Sequence, residues 1–203
     1  MQTINLLISA ILQVIFFSII PFLWWVIFWR KEATFFKRLG FKRPVIQNKA
    51  RYLIIFAATI ILLSIPSLFI IPLFVDQSVL ATTQFYGQGA LMLAPALIYA
   101  FLQTGLSEEI LFRGFLTKRL IRKFGFMVGN GLQGLLFGLM HGVLFVSSAG
   151  MLGAIIIILI TGMAGWLMGW INEKESDGSI ISSWLLHGIV NVLASFFAMF
   201  AII

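Results

Sequence analysis

The chain has no cysteine, few charges and only two histidines. Without cysteine it has no disulfide, no thiolate metal site and no cysteine nucleophile. Charged residues make up 10% of its 203 positions, against about 25% in an ordinary soluble domain. Acids are scarcer still, seven Asp and Glu beside fourteen Lys and Arg. What fills the chain instead is apolar: 61% of residues are hydrophobic and the mean hydropathy is +1.05. This defines an integral membrane protein, expected as one all-α polytopic bundle with no separate soluble domain.

A spanning helix needs about 20 mostly apolar residues. About six segments qualify: Thr3–Trp29, Tyr52–Val75, Gly89–Glu109, Phe126–Val146, Met151–Ile171 and Ile180–Ile203. Residues 1–88 thus supply two N-terminal spans joined by a basic loop, and residues 89–203 a core of about four helices. The basic residues fall on alternate loops. Residues 30–51 hold eight, 113–123 five and 172–179 one, Lys174, which accounts for all fourteen. Residues 76–88 and 147–150 and both ends hold none. The positive-inside rule then puts the basic loops in the cytoplasm and both termini outside, in a multi-pass protein of the plasma membrane. The net charge of +7 serves topology and attraction to anionic lipid rather than nucleic acid, which is not an expected partner.

The first span lacks the basic start and small-residue cleavage site of a signal peptide and reads as a retained helix. Ala33–Lys42 mixes aromatics with cations and suits the cytoplasmic interface. Pro66 and Pro72 predict a kink. Gly134, Gly138 and Gly142 recur every four residues, as do Gly165 and Gly169, forming ridges for close helix contact. His141 stands beside the first ridge and should face a neighbouring helix.

The ionisable groups within apolar segments are the candidate site. Glu108 and Glu109 lie in Gly105-Leu-Ser-Glu-Glu-Ile-Leu-Phe-Arg-Gly114. Acids at membrane depth are costly, about 2.5–3.5 kcal/mol each on insertion scales, and mark function by default. If the helix runs on to Arg113, Glu109 and Arg113 share a face at i, i+4 as a structural ion pair. Glu108 points about 100° away, free to serve as a general base or acid. The bland alternative is a pair of acids ending a helix at the interface. His141 follows Phe137 by four residues; it reads as a ligand or base, or as a satisfied core histidine. His187 and Asn191 are also i, i+4, which suits an oxyanion site, two metal ligands or an interhelical polar clamp. Glu, His and His/Asn on three segments have the inventory for activating water and polarising a carbonyl, which means hydrolysis of an acyl bond, most simply a peptide bond. Ser107 has no histidine near it by local spacing. A linear span model leaves Glu108 shallow and the histidines deeper, so a water-filled cavity entering from the cytoplasm is expected.

Glu108-Glu-x-x-x-Arg113, Phe137-x-x-x-His141 and His187-x-x-x-Asn191 resemble, in order, the three motifs of the CAAX-protease and bacteriocin-processing family, intramembrane proteases that include the Rce1-type prenyl-protein proteases. The resemblance covers about residues 90–195. It implies a helical membrane bundle and an intramembrane (metallo)endopeptidase. Glu108 becomes the water-activating glutamate with His141 beside it, His187 and Asn191 the oxyanion site, and Glu109 with Arg113 a support. It leaves zinc open, held by Glu108, His141 and His187, although no His-Glu-x-x-His signature is present and a metal-free glutamate mechanism is slightly favoured. The short chain resembles the small prokaryotic members, which implies a membrane-associated peptide or protein substrate, bacteriocin or pheromone processing, and partners in peptide secretion or self-immunity. The competing class is a non-catalytic membrane binding or immunity protein against a bacteriocin-like peptide. A proton-relaying transporter is disfavoured because no inverted repeat or paired broken helices are visible.

Overall fold

The computed structural model describes residues 2–202, and within them every regular element is helical. Four helical runs are long and apolar enough to cross a membrane: Thr3–Phe28, Lys49–Leu73, Gly89–Glu175 and Ile181–Met199. The third carries three of the six expected segments. At 1.5 Å per residue its 87 residues would reach about 130 Å, several times the ~30 Å hydrocarbon core. It therefore cannot be one straight crossing. Non-helical backbone at Gly125 (φ 77°) and Gly150 (φ 67°) folds it, a left-handed conformation that glycine adopts without a Cβ clash. We label the helices α1 (Gln2–Phe28), α2 (Phe35–Leu39), α3 (Lys49–Leu73), α4 (residues 89–124), α5 (residues 126–149), α6 (residues 151–175) and α7 (Ile181–Met199).

The glycine ridges set how α5 and α6 meet. A Cβ on Gly134 would lie 2.8 Å from the carbonyl oxygen of Gly162, and one on Gly138 3.1 Å from the Gly162 Cα. A Cβ on Gly165 would come within 3.1 Å of the Gly134 Cα. The two limbs are thus an antiparallel hairpin with backbones in contact, driven by close packing because lipid gives no hydrophobic push. Polar side chains clamp it: Asn130 Nδ2 donates to the Trp166 carbonyl at 2.9 Å and Gln133 Nε2 to that of Gly165 at 2.7 Å.

At Pro66 the α-helical turns of α3 give way to a wider π turn over Pro66–Ile70 and a tighter 3₁₀ turn over Ile71–Leu73. Proline supplies no N–H to the ladder, so the helix repitches there. Short 3₁₀ turns fill the connection from α3 to α4. The basic ends of the bundle are tied together. The Ile180 N–H donates to the Gly40 carbonyl at 3.0 Å and Ser179 Oγ to the Lys42 carbonyl at 2.6 Å. Gly40 ends α2 at φ 91°, where a Cβ would strike Lys118, 2.8 Å away. Ion pairs Lys42–Asp177 (2.7 Å), Arg51–Glu175 (2.9 Å) and Lys118–Glu173 (3.0 Å) cross the same face.

The central core joins α3, α4, α5, α6 and α7 through Leu63, Phe112, Phe137, Met168, Ile171 and Leu186. Around the outside, Ile8, Phe16, Ile27, Leu53, Ile54, Val143 and Leu159 stand exposed, as side chains facing lipid should.

Candidate active site

Helix α4 does not end at the acids. It continues in wide π geometry through Ile98–Leu106 and Ile110–Thr117, on either side of Ser107–Glu109. Such turns are rare and often mark functional sites. Two threonines follow the wider pitch with bonds to the carbonyl five residues back: Thr104 to Tyr99 (3.0 Å) and Thr117 to Phe112 (2.9 Å). Nine further residues of helix therefore follow Glu108, through Thr117.

Glu109 is fully buried and occupied on all sides. Arg113 Nη1 lies 2.9 Å from its Oε1 across one helical turn, both side chains at 0% exposure. The N–H is not aimed at that oxygen, so charge rather than a hydrogen bond holds the pair. The guanidinium carbon of Arg113 stands 4.1 Å from the Phe137 ring centroid, a cation–π seat in low dielectric. His187 Nδ1 is 3.1 Å from Glu109 Oε1, and Ser183 Oγ donates to Glu109 Oε2. Ser183 is itself oriented by Asn172, whose Nδ2 lies 2.7 Å from its Oγ and whose Oδ1 accepts from its backbone N–H at 3.1 Å.

This pairing sets the state of His187. A carboxylate only accepts, so Nδ1 carries a hydrogen toward Glu109, and the neutral tautomer that this selects has its lone pair at Nε2. That Nε2 faces Glu108, 3.9 Å from Oε2. Glu108 is 8% exposed, and its Oε2 has no hydrogen-bond partner among the described residues. His141 is fixed in the same sense: Nδ1 meets the Phe137 carbonyl at 2.9 Å, leaving Nε2 free. The Phe137 ring lies 4.5 Å from the His141 ring and 6.2 Å from that of His187, centroid to centroid. Asn191 Nδ2 donates to Thr104 Oγ1 at 2.8 Å; the second hydrogen on that nitrogen remains.

Glu108, His141, His187 and Asn191 all line one cavity of about 330 Å³. Glu109 and Arg113 lie behind its wall. The structure corrects the expected direction of this cavity. No residue of 30–51, 113–123 or 172–179 lines it; the lining runs to Ser67, Ile71, Leu80–Thr82, Phe145 and Ala194. These are the ends of the helices away from the basic loops. The linear reading went astray because it stopped α4 at Glu109, which left Glu108 too close to the basic side. Four partners were not singled out from the sequence: Thr104, Ser183, Asn172 and Tyr99. Two had a readable signal. Ser183, His187 and Asn191 form one stripe at intervals of four, and Thr104 precedes Glu108 by four.

For zinc, the expected donors are Glu108, His141 and His187. Among the described residues no three His, Cys, Asp or Glu side chains are gathered closely enough to hold a metal ion. The residues as arranged do not fit the ion.

Residues 90–193 match the family described as type II CAAX prenyl endopeptidase Rce1-like, and the chain belongs to that family of membrane proteases. No curated protein and no solved structure matches it.

Proposed function

We propose that the protein is an intramembrane endopeptidase that hydrolyses a peptide bond of a membrane-associated peptide or protein. The observation that carries this reading is the pairing of an unpartnered buried carboxylate, Glu108, with an imidazole whose free nitrogen is directed at it 3.9 Å away. A water between Glu108 Oε2 and His187 Nε2 would have a partner on each side. Glu108 takes its proton as the water oxygen attacks the carbonyl carbon, with His141 in the same cavity as a second base. The oxyanion that forms is met by the spare hydrogen on Asn191 Nδ2. The C–N bond then breaks, and the proton held by Glu108 passes to the leaving amine. Glu109 holds His187 in the required tautomer, and Arg113 holds Glu109.

The cavity runs toward the helix ends away from the basic loops; with those loops cytoplasmic, as the positive-inside rule expects, it would open on the outer side of the plasma membrane. It thus favours substrates reached from the outer leaflet, as in bacteriocin or pheromone processing, over cytoplasmic prenylated tails. Partners in peptide secretion or self-immunity belong to the same reading.

The test is to reconstitute the purified protein in lipid vesicles with a panel of membrane-inserted peptides and identify products by mass spectrometry. Discrete cleavage by the wild type, absent with Glu108→Gln, supports the reading. Tight peptide retention with no product at any time would replace it with a binding or immunity role.

A further inference from the structure

A second cavity, of about 810 Å³, opens at the basic end of the bundle between the end of α1, α2 and residues 115–123 of α4. Its walls are apolar, with Trp24, Phe115 and Leu120 among them, and its rim is cationic. Arg38 and Arg122 share one indole: their guanidinium carbons lie 3.4 and 5.0 Å from the Trp29 ring centroid. Arg119 lies half-buried, 4.2 Å from the Phe115 centroid, with Nη1 donating to the Phe115 carbonyl at 3.1 Å. Its Nε is buried without a hydrogen-bond partner among the described residues.

Acid is scarce in this place. Glu173 on the cavity wall is engaged by Lys118 at 3.0 Å, and Lys118 also donates to the Gly178 carbonyl at 2.7 Å. Glu32 acts on Arg38, but burial and then the like charge of Arg122 outweigh it and pull the Arg38 guanidinium below its ordinary value. Three arginines therefore converge, with Lys123 beside them, around space that holds too little negative charge to offset them.

We infer that this cavity binds the phosphate headgroup of an anionic membrane lipid. Guanidinium forks match phosphate oxygens in geometry and charge. The two tryptophans have the amphipathic rings that settle at headgroup depth. The apolar wall receives the first carbons of an acyl chain, which a soluble phosphate lacks. The cavity also lies on the basic face, where an anionic leaflet is expected. The site is remote from Glu108 and does not depend on the proteolytic reading.

Native mass spectrometry of the full chain tests this, after incubation with phosphatidylglycerol or phosphatidylcholine of identical acyl chains. The wild type retains phosphatidylglycerol preferentially, and Arg38→Gln with Arg122→Gln weakens that retention about tenfold while phosphatidylcholine retention is unchanged. Arg122 is exposed, so Arg122→Gln alone keeps the fold and should lower the preference partway. Equal retention of phosphatidylglycerol by all forms overturns the inference. So does displacement of the lipid by millimolar inorganic phosphate, which would mark a site for soluble phosphate.

Discussion

Arg113 is among the largest fully buried side chains and faces an equally buried carboxylate, so its removal is the most informative perturbation of the fold. Arg113→Met keeps the volume and the packing on Phe137 but leaves Glu109 charged at 0% exposure. Breaking a buried ion pair from one side costs about 3–5 kcal/mol, which for a chain of this size lowers the thermal midpoint by roughly 6–20 °C. Glu109→Gln removes the other charge while its amide oxygen still accepts from His187 Nδ1; Arg113 then keeps only the more distant charge of Glu108, so this variant should cost somewhat less than Arg113→Met. The double variant removes both charges and should return to within about 1.5 kcal/mol of wild type, a strong non-additivity. Thermal unfolding of the four proteins in one detergent measures the cycle. Two outcomes refute the reasoning: Arg113→Met within about 1 kcal/mol of wild type, or a double variant as unstable as the sum of the singles.

Further predictions follow from other contacts. Gly138→Val should separate α5 from α6, because its Cβ would already lie 3.1 Å from the Gly162 backbone; overpacking of about 1–3 kcal/mol should appear as a lower unfolding midpoint, while Gly131→Ala, with nothing within 4 Å, should not change it. Asp177 is held below the ordinary aspartate range by its hydrogen bond from Lys42 and then by the Lys42 charge. That contribution is present above the unfolded-state value and lost as pH falls through the lower folded one, so Asp177→Asn should flatten the acid end of a plot of thermal midpoint against pH. Proteolysis should survive treatment with a zinc chelator; loss on chelation and return with added zinc would show that the donors regroup around a metal.

Much of the site was legible because helical spacing is local. Glu109 with Arg113 and His187 with Asn191 are each one turn apart, and a continuing helix places each pair on one face. The glycine ridges marked close helix contact for the same reason, although which helices they join came only from the structure. Depth was less legible. Nothing in the apolar run shows that α4 continues in π geometry past Glu109, so Glu108 was drawn too shallow and the cavity toward the wrong end. The link from Glu109 to His187 was also hidden, because it joins residues 78 apart through tertiary packing that no local pattern encodes. Asn172, which orients Ser183 across a turn between α6 and α7, carried no sequence signal at all.

The most direct measurement is the cleavage rate of a peptide identified in the vesicle panel, comparing wild type with Glu108→Gln at matched unfolding midpoints and matched peptide affinity. Loss of a general base predicts a fall in kcat of about 10²–10⁴ with affinity retained. A Glu108→Gln protein that folds, binds and cleaves at the wild-type rate would contradict the assignment of Glu108 as the group that activates water.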